Sequence, residues 1–339
     1  MDNLTHSLTA LAMARAGLNR FSPSGTLILL LSANAPDIDI VALSGGPLSY
    51  LENHRGYTHS LAALPLMALL SMLVAALVTW RILPWGRAFL LAVLGVASHL
   101  LLDSTNGYGL RLLLPFSSRW FHLDLNNLYD VVILLVLLFA AIWPWFARLV
   151  GNEIGARRNF GRGTAIAALV FFVLFDAARF LLHQRAVAQL NSVVYGEVAA
   201  LRVSALPSRT TPLRWTGIVE TSAAYRVLSI SPFENLDPDA AQVFPKLPRD
   251  APIQAALQTP AFRFFQYFAR FPVWSEQPAS TTGDRSTRID LTDLQFGRPG
   301  AGAFHCIALV DSHNQVLESV FTYGSGAEFG WVQQPANPQ

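Results

Sequence analysis

A chain of 339 residues that is 52% apolar and 14% charged, with a mean hydropathy of +0.37, lies well below the roughly one quarter of charged residues in ordinary soluble domains. Its composition is that of membrane helices diluted by a soluble part. A net charge of +2 without a basic stripe argues against a nucleic-acid partner, and the single cysteine, Cys306, excludes an internal disulfide and a cysteine-rich metal knot.

Met1-Asp2-Asn3 carries neither a basic leader nor a small-residue cleavage site, so no removable signal peptide is expected. Crossing a bilayer takes about twenty mostly apolar residues. A short helix is expected over 6–18, and spans over 26–43, 61–80, 88–102, 128–147 and 163–182. Pro36 and two aspartates interrupt the first span and 88–102 is short, so either would be buried or re-entrant. Arginines fall on alternate loops: Arg15 and Arg20, Arg81 and Arg87, then Arg148, Arg157, Arg158 and Arg162. Placing these on the cytoplasmic side gathers His6, Asp37, Asp39, His54, His59, His99 and Asp103 at the opposite face and exports everything after about residue 183.

The segment "AVAQLNSVVYGEVAALRVSAL" reads as a polar-faced helix and "PSRTTP" as a turn-rich linker. Strand-like alternation follows in "TGIVETSAAYRVLSI", "STRIDLTDLQFG" and "FHCIALVDSHNQVLESVFTYG", the last as two strands around an Asp-Ser-His-Asn loop. Between them "AFRFFQYFARFPVW" reads as aromatic core packed on the strands, with a lid or membrane-facing surface as the alternative. The expected fold class is an all-α polytopic membrane domain over 1–182, a helical bundle with a polar metal site at one face. A helix and linker over 183–212 and an exported, small α+β soluble domain over 213–339 follow.

The chemistry-bearing residues cluster in the membrane half. "SHLLLD" puts His99 and Asp103 one helical turn apart on one face, and imidazole with carboxylate is a ligand pair for zinc or another first-row divalent ion. "APDIDI" embeds Asp37 and Asp39 between apolar runs, one able to face a metal while the other braces a ligand. In "HRGYTHSL" a turn at Gly56 must bring His54 and His59 together if both bind, and Thr58 is the expected N-cap of the following helix, with His59 at its first position. "LTHSL" repeats this word at Thr5 and His6. Ionisable groups within membrane segments are costly and are functional candidates by default. In the polar loop after Asp103, Arg111 and Arg119 suit a phosphate or carboxylate, or else anchor the loop at lipid headgroups, and His122 with Asp124 can supplement the metal site. Arg55 joins them as a candidate for binding an anionic substrate, while Asp176 and Arg179 are expected to neutralise each other in the last span.

"DNLTH", "PDID", "HRGYTHS" and "SHLLLDSTNGYGLRLLLPFSSRWF" resemble the YdjM/YbcI-type membrane-bound metal-dependent hydrolases (DUF457) over roughly residues 1–150. That family is distantly similar to the all-helical zinc-dependent phospholipase C and P1 nuclease group. The resemblance implies His6, Asp37 or Asp39, His59, His99 and Asp103 as metal ligands, with His54 as ligand or supporting residue. The sequence departs from it in lacking a second downstream HxxxE or HxxxD helix, which points to one or two ions, and in having Val131 after Asp130. The expected activity is hydrolysis by a bound divalent metal, zinc first and manganese or magnesium next, with Asp37 or Asp39 taking the proton of the attacking water. Membrane lipids are the expected surroundings and a phosphate-bearing, lipid or lipid-linked molecule the expected substrate. The rival reading is a membrane protein that binds or translocates metal without turnover; a transporter, however, places ligands near the midplane, whereas His54, His59 and Asp103 stand at segment ends.

Overall fold

Long uncharged runs leave the backbone no partner but itself in an apolar solvent, and in a computed structural model they fold as helices. The structure describes residues 1–153, 160–195, 199–208, 211–281, 284–299 and 302–324; Arg157 and Arg158 lie outside them. The chain divides into two units. The first comprises Met1–Val41, Asn53–Gln184 and Pro207–Leu213, and the second comprises Ala42–Glu52, Arg185–Leu206 and the described residues from Arg214 on.

Helix α1 (Asn3–Ala16) begins at Asp2, whose carboxylate accepts the Thr5 N–H at 3.0 Å, an N-cap that satisfies an otherwise unpaired donor. Helix α2 (Gly25–Ser32) is followed by a 3-10 segment, Ala35–Gly45, bent from it by 41°, so the stretch expected as one span is broken where Pro36 removes a backbone donor. After α3 (Pro47–Asn53) and a 3-10 turn at Tyr57–His59, α4 (Leu64–Thr79) starts later than expected, with Pro65 in its first turn. Proline is preorganised for that position, so Thr58 and His59 stand outside the helix and Thr58 does not cap it. Helices α5 (Trp85–Ser104), α6 (Val131–Glu153) and α7 (Phe160–Asn191) complete the set. Among the described residues three helices are long and apolar enough to cross a membrane, or up to five if each bent pair forms one span. Their outward faces stay apolar, with Val173 and Leu181 each 69% exposed on α7, as lipid rather than water requires.

Small residues set the packing of the first unit. Ala10, Ala14, Ala33, Ala68, Ala75 and Ala92 are fully buried beside Ile28, Leu29 and Val96, which lets helices without a hydrophobic drive between them gain van der Waals contact. Gly95 is the tightest point: a Cβ there would lie 1.9 Å from Ser32 Oγ. The resulting closeness of α2 and α5 is used four residues later, at His99.

The second unit holds two four-stranded sheets. The first contains β1 (Arg202–Pro207), β2 (Trp215–Glu220), β3 (Ala224–Ile230) and β4 (Gln242–Pro245) in sequence order; the second contains β5 (Pro272–Thr281), β6 (Asp284–Asp293), β7 (Phe304–Val310) and β8 (Val316–Tyr323), also in order and antiparallel. Helices α8 (Ala251–Leu257) and α9 (Pro260–Phe268) lie between the sheets in sequence. Phe262, Phe265 and Phe268 of α9 are buried, Phe262 stacking on Trp274 at 5.7 Å and Phe265 meeting Phe321 at 5.6 Å, so the aromatic segment is core. The helix expected over 186–206 ends at Asn191, and Arg202–Pro207 is a strand instead. Ser204, Ala205 and Leu206 are buried there, a gain available only once β2 supplies a neighbour, and such context overrides local propensity.

Candidate metal centre

The site is built by three parts of the first unit. Helix α5 presents His99 and Asp103 on one face, the 3-10 segment after α2 presents Asp37 and Asp39, and the segment 53–59 turns back to deliver His54, Arg55 and His59. That turn needs Gly56, because a Cβ there would sit 2.7 Å from both the Arg111 guanidinium and the Asn53 carbonyl.

His99 is fully buried, and its Nδ1 lies 2.7 Å from the Ala33 carbonyl oxygen. Only an N–H can make that bond, so the proton is on Nδ1 and the lone pair is on Nε2. His59 is oriented in the same way by a carboxylate, with Nδ1 at 3.2 Å from Asp39 Oδ2 and 3.0 Å from Thr58 Oγ1. The two Nε2 atoms, each left with a lone pair, face each other at 3.1 Å. Asp103 Oδ2 lies 3.5 Å from each of them, buried and without a hydrogen-bond partner among the described residues. Asp37 Oδ1 closes the group at 3.4 Å from His59 and 3.7 Å from His99.

Four ligand atoms thus surround one point, and five of the six edges between them measure 3.1 to 3.7 Å. Tetrahedral zinc with bonds of about 2.0–2.1 Å requires edges of about 3.3–3.4 Å. Facing lone pairs and an orphaned carboxylate oxygen repel in the absence of a cation, so donor set and geometry both fit a divalent ion. Asp37, His59, His99 and Asp103 form one group able to hold a metal, and Asp37, Asp39 and His54 form a second that shares Asp37.

Asp37 and Asp39, equivalent in the sequence, are separated by their surroundings. Asp39 Oδ2 accepts the Arg55 backbone N–H at 2.9 Å and the Thr58 hydroxyl at 3.2 Å, and its Oδ1 meets His54 Nδ1 at 3.0 Å. Asp37 contacts His59 and His99 and is 15% exposed, against 5% for Asp39. His6 stacks on His99 with ring centroids 3.9 Å apart and reaches Asp103 Oδ1 at 3.3 Å, supporting the cluster from α1. The Met1 ammonium also meets Asp103 Oδ1.

Arg55 is 2% exposed, and its guanidinium donates to Asp103 Oδ1 at 2.9 Å, to Asn106 Oδ1 at 2.9 Å and to the Gly109 carbonyl at 3.3 Å. It lies over the Tyr108 ring as well. Arg111 stacks on Trp120 at 5.0 Å, while Arg119 is exposed near Phe121. His122 and Asp124 pair with each other at 3.4 Å and belong to neither metal-capable group. Asp176 accepts from Asn126 at 2.7 Å, and Arg179 donates to the Leu125 carbonyl at 2.8 Å. The supporting roles of Asn106 and the Ala33 carbonyl escape sequence reasoning. Only Asn106 carries a signal, standing three residues after Asp103.

A family model described as "YdjM inner membrane protein" matches residues 1–186. Among curated proteins, the uncharacterised protein YfhP of Bacillus subtilis (strain 168) is 27% identical over 217 residues, covering 60% of this chain and 61% of that protein. The chain therefore spans less than two thirds of the relative's length. No solved structure matches, and the comparisons do not show the expected distant similarity to the phospholipase C and P1 nuclease group.

Proposed function

The chain belongs to the YdjM inner membrane protein family, and from that premise we propose that it is a membrane-bound metal-dependent hydrolase of phosphoesters. The observation that carries the reading is the convergence of two oriented imidazole Nε2 atoms and two carboxylate oxygens on one point. Asp37, His59, His99 and Asp103 would hold the ion, zinc first because two imidazoles and two carboxylates suit it. A divalent ion so held supplies Lewis acidity and makes water acidic near neutral pH.

The chain's own groups then divide the work. Asp39, its oxygens engaged by His54, Arg55 and Thr58, keeps His59 in the required tautomer. Asp37, the more exposed carboxylate and the one farthest from His99, is the ligand that would yield its position to water, as a catalytic site with three remaining protein ligands requires, and would take that water's proton. Arg55 fixes Asp103, which leaves substrate recognition to Arg111, beside Gly56, and to Arg119 in the loop. Exposed Ile38, Ile40, Val41 and Tyr57 border the cluster in sequence and favour an amphiphilic substrate. One ion is the reading, because a second at Asp37, Asp39 and His54 would cost Asp39 its bond to His54. In this reading the site and the C-terminal unit are non-cytoplasmic, which the alternation of arginine-bearing loops in the sequence supports.

Elemental mass spectrometry of detergent-purified protein, wild type beside His99→Ala and Asp103→Ala, tests the centre. Near-stoichiometric divalent metal lost in both variants is expected, with turnover of a phosphoester panel by the wild type alone. Metal unaffected by either change sinks the proposal; metal retained without any turnover transfers the reading to a non-catalytic metal-binding or metal-translocating protein.

A further inference from the structure

Around the shared point of the metal centre the side chains of His59, His99 and Asp103 are at most 1% exposed, whereas Asp37 keeps 15%. His54, 16% exposed, is not one of these four ligands; it supports Asp39 and meets the Tyr108 ring edge-on at 5.6 Å. The segment 106–111 is bonded over the same stretch, since the Arg55 guanidinium donates to Asn106 and to the Gly109 carbonyl while the Arg111 N–H donates to the Arg55 carbonyl at 3.0 Å. The way to the metal ligands is on the side of Asp37.

The 3-10 segment Ala35–Gly45 decides what borders that side. With three residues per turn, residues three apart share a face. Pro36 and Asp39 form the buried face; Asp37 shares the next with Ile40, which is 56% exposed, and Ile38 and Val41, 48% and 68% exposed, make the third. Asp37, Asp39 and Ser44 are the only polar side chains of the segment, so its open faces are aliphatic, a costly arrangement in water. By length and composition Gly25–Ser32 and Ala35–Gly45 pass together as one bent membrane span.

Height in the bilayer agrees. His99 and Asp103 are residues 15 and 19 of the twenty in α5, a helix about 30 Å long against a hydrocarbon core of about 30 Å. Leu90, Leu94 and Leu101 form an exposed apolar stripe on the opposite side of α5, and Leu101 stands midway in sequence between the two ligands. The lipid-facing surface therefore reaches the height of the metal centre. Asp37 lies 3.7 Å from His99, so the aliphatic residues on either side of it stand close to that height and continue the same surface.

We infer that the metal centre opens sideways into the bilayer along the Asp37–Ile40 face of the 3-10 segment, and that its substrate is a phosphoester lipid entering from within the leaflet. The chains of such a lipid lie along Ile38, Ile40 and Val41 while its phosphoester is carried to Asp37. An amphiphile that never leaves the leaflet keeps its apolar surface out of water throughout, which a route through the aqueous phase does not allow. The identity of the substrate rests on the hydrolase reading; the sideways opening does not.

Spin labelling of the full chain in phosphatidylcholine nanodiscs reads the opening without any turnover. Cys306 is the single cysteine, so a Cys306→Ser background accepts one nitroxide at a time. Labels at Ile40→Cys and Val41→Cys should collide with oxygen and be shielded from a water-soluble nickel chelate, like one at Leu101→Cys on the exposed stripe of α5 and unlike one at Ser312→Cys, an exposed position in the β7–β8 turn. Labels at 40 and 41 that behave like the one at 312 overturn the opening. Kinetics read the substrate: long-chain phosphatidic acid and phosphatidylglycerol in the nanodisc, against their dihexanoyl forms below the micellar concentration. Preference for the embedded lipids is expected, and Ile40→Ser should raise their KM about tenfold with kcat and metal content unchanged, the loss of one aliphatic contact. Thermal unfolding establishes that each variant is folded. Preference for the soluble forms, or a KM untouched by Ile40→Ser, overturns entry from the leaflet. Shielded labels with no turnover of any phosphoester support the opening and refute the hydrolase reading instead.

Discussion

Each unit buries a cluster of histidine, carboxylate and arginine. In the C-terminal sheet His305 Nδ1 meets Asp290 Oδ1 at 3.1 Å, its Nε2 meets the Gly302 carbonyl at 2.8 Å, and Arg288 pairs with Asp290 at 3.0 Å. Both ring nitrogens face acceptors, so the ring is a charged double donor and the cluster closes on itself. In the helical unit His59 and His99 each spend one nitrogen on an acceptor and turn the other toward a shared point, beside a carboxylate oxygen with no hydrogen-bond partner among the described residues. Residue types are alike in the two clusters; what differs is the lone pairs left over. A surplus of acceptors, not the presence of histidine and aspartate, marks the ligand site.

The sharpest challenge to that distinction is Arg55→Gln. Asp103 keeps the Met1 ammonium, but the substitution removes a buried charge partner together with the bonds that Arg55 donates to Asn106 and to the Gly109 carbonyl, and a loss of about 3 kcal/mol in thermal unfolding of the chelated protein is expected. Arg288→Gln should cost less, because Asp290 keeps His305. Equal losses would mean that the two clusters are equally self-contained.

Asp39→Asn comes next in size. The amide keeps the shape but loses the charge that orients His59, and about 10–100-fold weaker metal binding is expected, the usual effect of losing such a supporting carboxylate. Competition with a chromophoric chelator reads this directly. Unchanged affinity would refute the division of labour between Asp37 and Asp39.

The smallest effect belongs to His305. Burial would lower its pKa, but the Asp290 carboxylate and the Gly302 carbonyl outweigh burial and raise it. A raised folded-state pKa contributes stability below the unfolded value of about 6.5 and loses it as pH climbs through the folded value. Hydrogen exchange of the β6–β7 amides, corrected for intrinsic rates, should therefore show protection falling as pH rises above about 6.5, and His305→Gln should flatten that slope. A slope of the opposite sign, or one untouched by the substitution, would contradict the charged double donor.

Local chemistry was readable from the chain. Apolar runs gave helices close to their expected bounds because hydropathy needs no distant partner, as in α5 and α6. The spacing of His99 and Asp103 placed them on one helical face, and alternation in 304–323 gave β7 and β8. The strand at Arg202–Pro207 was not readable, because its reward depends on β2. Nor was the start of α4, where Pro65 prevailed over the Thr58 cap.

What the sequence by itself determined is the two-part organisation, the membrane character of the first part and the identity of the acidic and histidine residues available for a metal, since composition, period and residue type are properties of short stretches. Which residue does what was decided only by tertiary structure. Asp37 faces the facing imidazoles while Asp39 braces one of them, and Arg55 is bound to Asp103 inside the protein. Those roles depend on a close approach of α2 to α5 at Gly95 and a return of 53–59 past Gly56. Hydrogen-bond direction and lone-pair orientation arise where distant segments meet, and no local pattern encodes them.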